Sequence, residues 1–350
     1  MSPRRPRTTL DGMETQTLLN FLTAKWVAPS LGAVARLGVA DLVADGPRTA
    51  EDLAPDCGAD PTALRRVLRA LASVGVFAED DAGRFGLTPV AELLRSDVPG
   101  SLRWATVAAT MEPMWRPYGQ ILHSVRTGRP AFPEVYGVPV WDFLATHPEE
   151  AALFQQAAVG FYRQSVPPIV ASYDWSRLGT LVDVGGGTGV LLAAILDANP
   201  GLRGTLFESP GVLEQAPKAL ADAGVADRVE LVAGDFFVSV PAGADAYLVK
   251  SCLHAFGDED ALRLLRAVRT AMKPDAVLLV VEAVLPPGNA PHYGKLSDVE
   301  LLTLAGGAER TADEWVALLE AGGFRIERTV PAGGVVSIME ARPTDAAPTR

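Results

Sequence analysis

Apolar positions recur every three or four residues from about 15 to 100, whereas from about 178 they gather into short unbroken runs separated by helical stretches. The first texture predicts helices. In "DPTALRRVLRAL" Asp60 can cap, Pro61 suits the first helical position, and Leu64, Val67, Leu68 and Leu71 fall on one face. "GVFAEDDAGRFGLT" reads as two short strands around an Asp-Asp-Ala-Gly turn, and "PVAELL" as another helix; together they predict a winged helix. The opening stretch, "TQTLLNFLTAKWVAPSLGAVARL", is more apolar than a lone surface helix should be, and burial against a second subunit resolves that.

Residues 101–175 continue helical and carry Trp104, Met111, Met114, Trp115, Phe154, Phe161 and Tyr162. Each alone reads first as core, since apolar side chains at helical spacing usually just pack, but as a set they also offer lining for a flat ligand. From 178, "LGTLVDVG", "GTLFE", "RVELVAGD", "DAYLVKS" and "AVLLVVE" read as strands, with "GVLLAAILDAN" and "DEDALRLLRAVRTAM" as helices between them. Strands so uniformly apolar are expected to be buried on both faces of a parallel sheet. "FRIERTV" and "VVSIMEA", joined by "PAGG", add an antiparallel edge hairpin, and Thr311 with Glu314 fits a capping box. The expected organisation is a tail at 1–14, a winged helix at 15–100, a helical region at 101–175, an α/β domain at 176–342 and a tail at 343–350.

Charge and cysteine usage narrow the partners. A formal charge of −11 repels nucleic-acid backbones and anionic membranes, which leaves a small molecule as the expected ligand. The winged helix raises a DNA-binding reading, yet residues 1–100 hold 11 Lys and Arg against 13 Asp and Glu, without the basic excess of a DNA reader. Cys57 and Cys252 allow at most one bridge and His123, His147, His254 and His292 lie far apart, so no metal cluster is expected and a reducing cytoplasm fits. No apolar segment is expected to approach the roughly 20 residues of a spanning helix, since "AVLLVV" at 276–281 stops at Glu282.

Between the first strand and first helix of the second half stands "LVDVGGGTGV". Glycines there let backbone approach a ligand at the carboxyl edge of a sheet. The spacing of Gly185, Gly187 and Gly189 is Gly-x-Gly-x-Gly, and Asp183 precedes it; a carboxylate repels phosphate but attracts an ammonium or a sulfonium. Glu208, ending the second strand, can take both ribose hydroxyls, Asp235, ending the third, can reach an adenine amino group, and Phe236 can cover the ring. As the plainer alternative, Glu208 and Asp235 are helix caps.

"LVDVGGGTG", "GDFF", "LVKSCLHAFGDEDA", "VVEAVLP" and "GGAERTADEW" resemble, in order and spacing, the S-adenosylmethionine-dependent O-methyltransferases of the plant caffeic-acid type and their bacterial relatives in antibiotic biosynthesis. The resemblance covers the C-terminal half specifically and the N-terminal half loosely. It implies a Rossmann-like methyltransferase domain with a seven-stranded sheet, a homodimer of interlocked N-terminal helices, and a small-molecule acceptor. It also implies His254 as general base, Glu282 and Glu309 as the carboxylates that orient it, and Lys250 as a cofactor contact. Met111, Trp115, Phe154, Tyr162, Asp298 and Leu302 are the candidates for acceptor binding.

One departure stands out. The family usually reads His-Asp-Trp where this chain has His254-Ala255-Phe256. That keeps the base and leaves open a relative that binds the cofactor yet catalyses hydroxylation, decarboxylation or ring formation; a winged-helix regulator is the more distant rival. Cys252 reads as a small buried side chain rather than a nucleophile, because no oxyanion elements accompany it.

Overall fold

The computed structural model describes residues 12–344, so the tails expected at 1–11 and 345–350 lie outside the described residues. The chain forms two compact units, one of residues up to Trp115 with Glu149–Phe161, the other of Arg116–Pro148 with Tyr162 onward. Residues 12–14, expected in the N-terminal tail, begin the helix Gly12–Leu37, and Pro343, expected in the C-terminal tail, ends a strand.

In the first unit, Asp60 caps the helix Pro61–Ser73 by accepting the Ala63 N–H at 2.8 Å, and Leu64, Leu68 and Leu71 face the core, with Val67 at its margin. Strands β1 (Phe77–Glu79) and β2 (Phe85–Leu87) form the wing, extended by a bridge between Arg48 and Phe85. The helix Gly12–Leu37 buries little of itself: Phe21 is 74% and Trp26 65% exposed, and Leu18, Leu19 and Leu22 are exposed beside them. By length and composition this helix could cross a membrane, contrary to the expectation that no segment could. That expectation counted unbroken apolar runs, whereas here polar residues are scattered through a stretch that is apolar on average.

The second unit is built on a sheet of β3 (Thr180–Val184), β4 (Arg203–Glu208), β5 (Val229–Ala233), β6 (Ala246–Lys250), β7 (Val277–Leu285), β8 (Arg310–Thr311), β9 (Phe324–Pro331) and β10 (Val336–Pro343). Its order is β5-β4-β3-β6-β7-β10-β9, with β8 paired to the end of β7. The first five are parallel, and β10 runs antiparallel to both β7 and β9. Alternate residues feed two cores: Leu181, Leu206, Leu248 and Leu279 pack with the helix Val190–Ala198, while Val182, Val249, Leu278 and Val280 pack with the helices Asp258–Ala271 and Ala312–Ala321. The capping box of Thr311 and Glu314 is formed.

Two expectations need correction. Burial is not uniform, because β5 is an edge strand whose Glu230, Leu231 and Ala233 are exposed. Nor does β7 end at Glu282; it continues to Leu285 because β10 pairs with Ala283 and β8 with Val284 and Leu285.

Candidate active site

Order reversal between β4 and β6 around β3 opens a crevice at the carboxyl ends of the parallel strands, where ligands of such sheets bind. Gly185, Gly187 and Gly189 of the loop after β3 all have left-handed φ, from +59° to +78°, which side-chain-bearing residues resist. A Cβ on Gly185 would stand 2.7 Å from Cys252 Sγ, whereas one on Gly187 would meet open space. The loop is therefore packed from beneath at Gly185 and bare at Gly187.

Carboxylates surround that loop. Glu208 accepts the Gly187 N–H at 3.1 Å and the Ser209 N–H at 2.7 Å, which aims its head at the loop and leaves lone pairs for further donors. It is a backbone anchor as well as a ribose candidate. Asp183, 1% exposed, sits under the loop with Oδ2 unpartnered. Burial pushes its pKa up to about 7, with Lys250 opposing and Glu208 reinforcing the rise. Lys250 is itself held down at about 8 by burial, against the pull of Glu282, Cys252 and Asp183. Asp235 lies two residues beyond β5, exposed, and accepts the Phe237 N–H at 2.8 Å. The Phe236 ring borders Gly185 and meets Phe237 and Phe256 with centroids 4.7 and 6.0 Å apart.

After β6 the chain leaves the sheet through Ser251, whose φ of +51° is unusual for a non-glycine residue, and enters the single turn Leu253–Ala255. The turn cannot satisfy its own first N–H groups. Glu282 Oε1 takes three of them, from Cys252 at 3.0 Å, Leu253 at 2.9 Å and His254 at 3.4 Å. The His254 ring faces both expected carboxylates, with Nδ1 3.1 Å from Glu309 Oε1 and 3.6 Å from Glu282 Oε2. An ionised carboxylate only accepts, so Nδ1–H donates and the lone pair of the neutral ring falls on Nε2. Burial opposes a charged ring, but Glu282 and the hydrogen bond and charge of Glu309 outweigh it and raise the His254 pKa. Glu282 is raised chiefly by burial, with His254 countering.

Several supports escaped sequence reasoning. Ser297 donates to the same Glu309 Oε1 at 2.8 Å. Asp298, expected near the acceptor, accepts the Glu309 backbone N–H at 2.8 Å, and Leu302 follows it one helical turn on. Arg310, inside the quoted "GGAERT", reaches carbonyls of the His254 turn. Phe256, the departure from His-Asp-Trp, joins Phe237 at 5.0 Å and Trp141 at 6.5 Å, so an aromatic ring is retained there. In the first unit Met111 is buried, while Trp115 and Phe154 keep exposed surface; the Tyr162 side chain lies outside the described residues. Among the described residues no group of three or more His, Cys, Asp or Glu side chains is arranged to hold a metal ion.

Fold and loop together define a Rossmann-like enzyme, with a glycine crevice and a carboxylate-paired imidazole at the carboxyl edge of one sheet. Comparison with known proteins gives the family. Residues 118–325 match the O-methyltransferase domain and residues 19–97 the O-methyltransferase dimerisation domain. A phenazine O-methyltransferase of Lysobacter antibioticus is 45% identical over 326 residues, covering 93% of this chain and 95% of the relative. A mitomycin biosynthesis 6-O-methyltransferase of Streptomyces lavendulae is 41% identical over 345 residues, covering 97% and 98%. The solved structure of an O-methyltransferase from neocarzinostatin biosynthesis, in complex with S-adenosylmethionine and 2-hydroxy-5-methyl naphthoic acid, matches with a TM-score of 0.81 and 35% identity, covering 91% of this chain and 96% of that one. This chain belongs to the O-methyltransferase family.

It is accordingly an S-adenosylmethionine-dependent enzyme of secondary metabolism, and its N-terminal unit carries the dimerisation domain. The residues present fit that cofactor. Glu208 and Asp235 at the carboxyl edge offer acceptors for a ligand rich in donors and positive charge, the buried Asp183 Oδ2 lies unpartnered beneath the loop, and the bare face of Gly187 leaves room for that ligand.

Proposed function

We propose that His254 is the general base for methylation of a hydroxyl on an aromatic or polyketide-like acceptor. The observation that carries this reading is the approach of His254 Nδ1 to Glu309 at 3.1 Å and Glu282 at 3.6 Å, which leaves Nε2 as the basic nitrogen. S-adenosylmethionine, when bound, supplies the methyl group and a neutral thioether leaving group. Glu208 would accept its ribose hydroxyls, Asp235 its adenine amino group, and Phe236 would cover the ring, while Lys250 and Asp183 set the charge beneath the glycine loop. Met111, Trp115, Phe154, Tyr162, Asp298 and Leu302 are proposed to shape the acceptor site.

A phenol with pKa about 10 facing an imidazole near 6.5 leaves a gap of roughly 3.5 units, or roughly 4.8 kcal/mol, against full proton transfer before attack. The two carboxylates narrow that gap by raising the His254 pKa. Proton loss therefore accompanies attack on the methyl carbon, and the family's alignment task falls to the acceptor pocket. Two free cysteines and a charge of −11 fit a cytoplasmic homodimer acting on small molecules, away from nucleic acid and membrane.

The test uses labelled S-adenosylmethionine with a panel of hydroxylated polycyclic aromatics, phenazines among them. Expected is a product heavier by one methylene, with stoichiometric S-adenosylhomocysteine. His254→Gln should slow turnover by roughly 10²- to 10⁴-fold while keeping cofactor affinity. Glu208→Ala should instead weaken cofactor binding about ten- to a hundredfold. Wild-type turnover by His254→Gln sinks the base assignment, and a product lacking the added methylene points to the non-methylating rival.

A further inference from the structure

We propose that Arg310 is a positioning residue for the His254 turn, latching it from the side opposite Glu282; its importance for turnover rests on His254 being the base. The turn is gripped by opposite charges. Glu282 takes its N–H groups, while Arg310 Nη1 donates to the Leu253 carbonyl at 3.4 Å and Nη2 to the Phe256 carbonyl at 3.3 Å, bracketing His254. The carbonyl of His254 itself is taken by the Ala308 N–H at 2.9 Å, and Arg310 also donates to the Ala308 carbonyl at 3.1 Å. Segment 308–310 and the base turn are thus tied backbone to backbone.

Arg310 is itself anchored. Its side chain is 5% exposed, lies 5.1 Å over the Trp315 ring, and pairs with Asp258 Oδ1 at 2.7 Å. Trp315 in turn donates Nε1–H to the Ala283 carbonyl at 2.8 Å, next to Glu282 on β7. One strand therefore supports both halves of the grip. Neighbouring residues of an extended segment project to opposite sides, so Glu309 reaches the imidazole while Arg310 reaches the back of the same turn. Only a planar fork with several donors spans two carbonyls of the turn and a carboxylate together; a lysine ammonium is a single point.

A loosened latch lets the ring drift from Glu309 and Glu282, the groups that hold its pKa up. The experiment is a histidine-selective ¹⁵N NMR titration of the full-length protein saturated with S-adenosylhomocysteine, with His254 assigned among four histidines by His254→Gln. In Arg310→Lys and Asp258→Asn the His254 midpoint should move down toward the ordinary imidazole value, while calorimetric affinity for S-adenosylhomocysteine stays within about twofold. A general scaffolding role would lower stability or cofactor affinity and leave the midpoint in place, and that result overturns the latch. Should Arg310→Lys fail to fold, Asp258→Asn decides alone, since that acid is 76% exposed. The base assignment fails separately, through undiminished turnover by His254→Gln.

Discussion

Ser297 Oγ lies 2.8 Å from Glu309 Oε1, the same oxygen that His254 Nδ1 approaches at 3.1 Å. Two donors on one oxygen fix the carboxylate's rotation and thereby the imidazole plane. Ser297→Ala should leave S-adenosylhomocysteine affinity unchanged and lower kcat by about three- to tenfold, the loss expected when one orienting hydrogen bond of roughly 1 kcal/mol is removed. Steady-state kinetics beside calorimetry checks this; an unaltered kcat would mean that Glu309 needs no help.

As the proposed base, His254 must be neutral to act. Because the His254 pKa is raised, kcat/KM should begin to fall at a pH above the ordinary imidazole value of about 6.5 as the solution is acidified. Glu309→Gln removes a hydrogen-bonded charge, so its acid limb should shift to lower pH. A limb that stays put in that variant belongs to another group.

Asp183 carries the opposite lesson about stability. Its pKa is raised to about 7 by burial, so the folded state holds this proton more tightly than the unfolded one. The contribution is fully present below the ordinary pKa of about 3.9 and is lost as pH rises to about 7. Asp183→Asn should therefore gain Tm relative to the parent at pH 8 compared with pH 5, while cofactor affinity drops roughly tenfold for want of the negative charge. Ligand-free calorimetric scans at the two pH values decide; an equal Tm difference at both contradicts the burial argument.

Phe21 and Trp26 stand out from the helix Gly12–Leu37 at 74% and 65% exposure, within the segment that matches the dimerisation domain. Aromatic anchors of this kind are each worth about 2 kcal/mol at an interface. The double change Phe21→Asp and Trp26→Asp should weaken self-association at least about a hundredfold, read by light scattering against dilution. Persistence of the parental mass would place the dimer contact elsewhere.

Alternation of apolar runs and helices was legible at once, because β-strands covered on both faces need continuous hydrophobicity and the glycine loop needs positive φ. Edges were less legible: β5 looks like its buried neighbours in sequence, and only its place at the rim of the sheet exposes it. The imidazole and its two carboxylates could be named from motifs, yet nothing local says that Glu282 also caps the turn bearing His254, or that Asp298 serves the backbone of Glu309.

Residue order alone determined which chemistries are available: a cation-tolerant glycine loop, an acid in or just beyond each of three successive strands, one well-placed histidine, and only two cysteines. Tertiary structure decided how those groups are charged and aimed. Segments 28 and 55 residues away in the chain converge on His254, and burial there shifts proton affinities that neighbours in sequence cannot. The reason is physical: periodicity is a short-range property written every two or four residues, whereas desolvation and long-range hydrogen bonding exist only once the sheet has brought distant strands side by side.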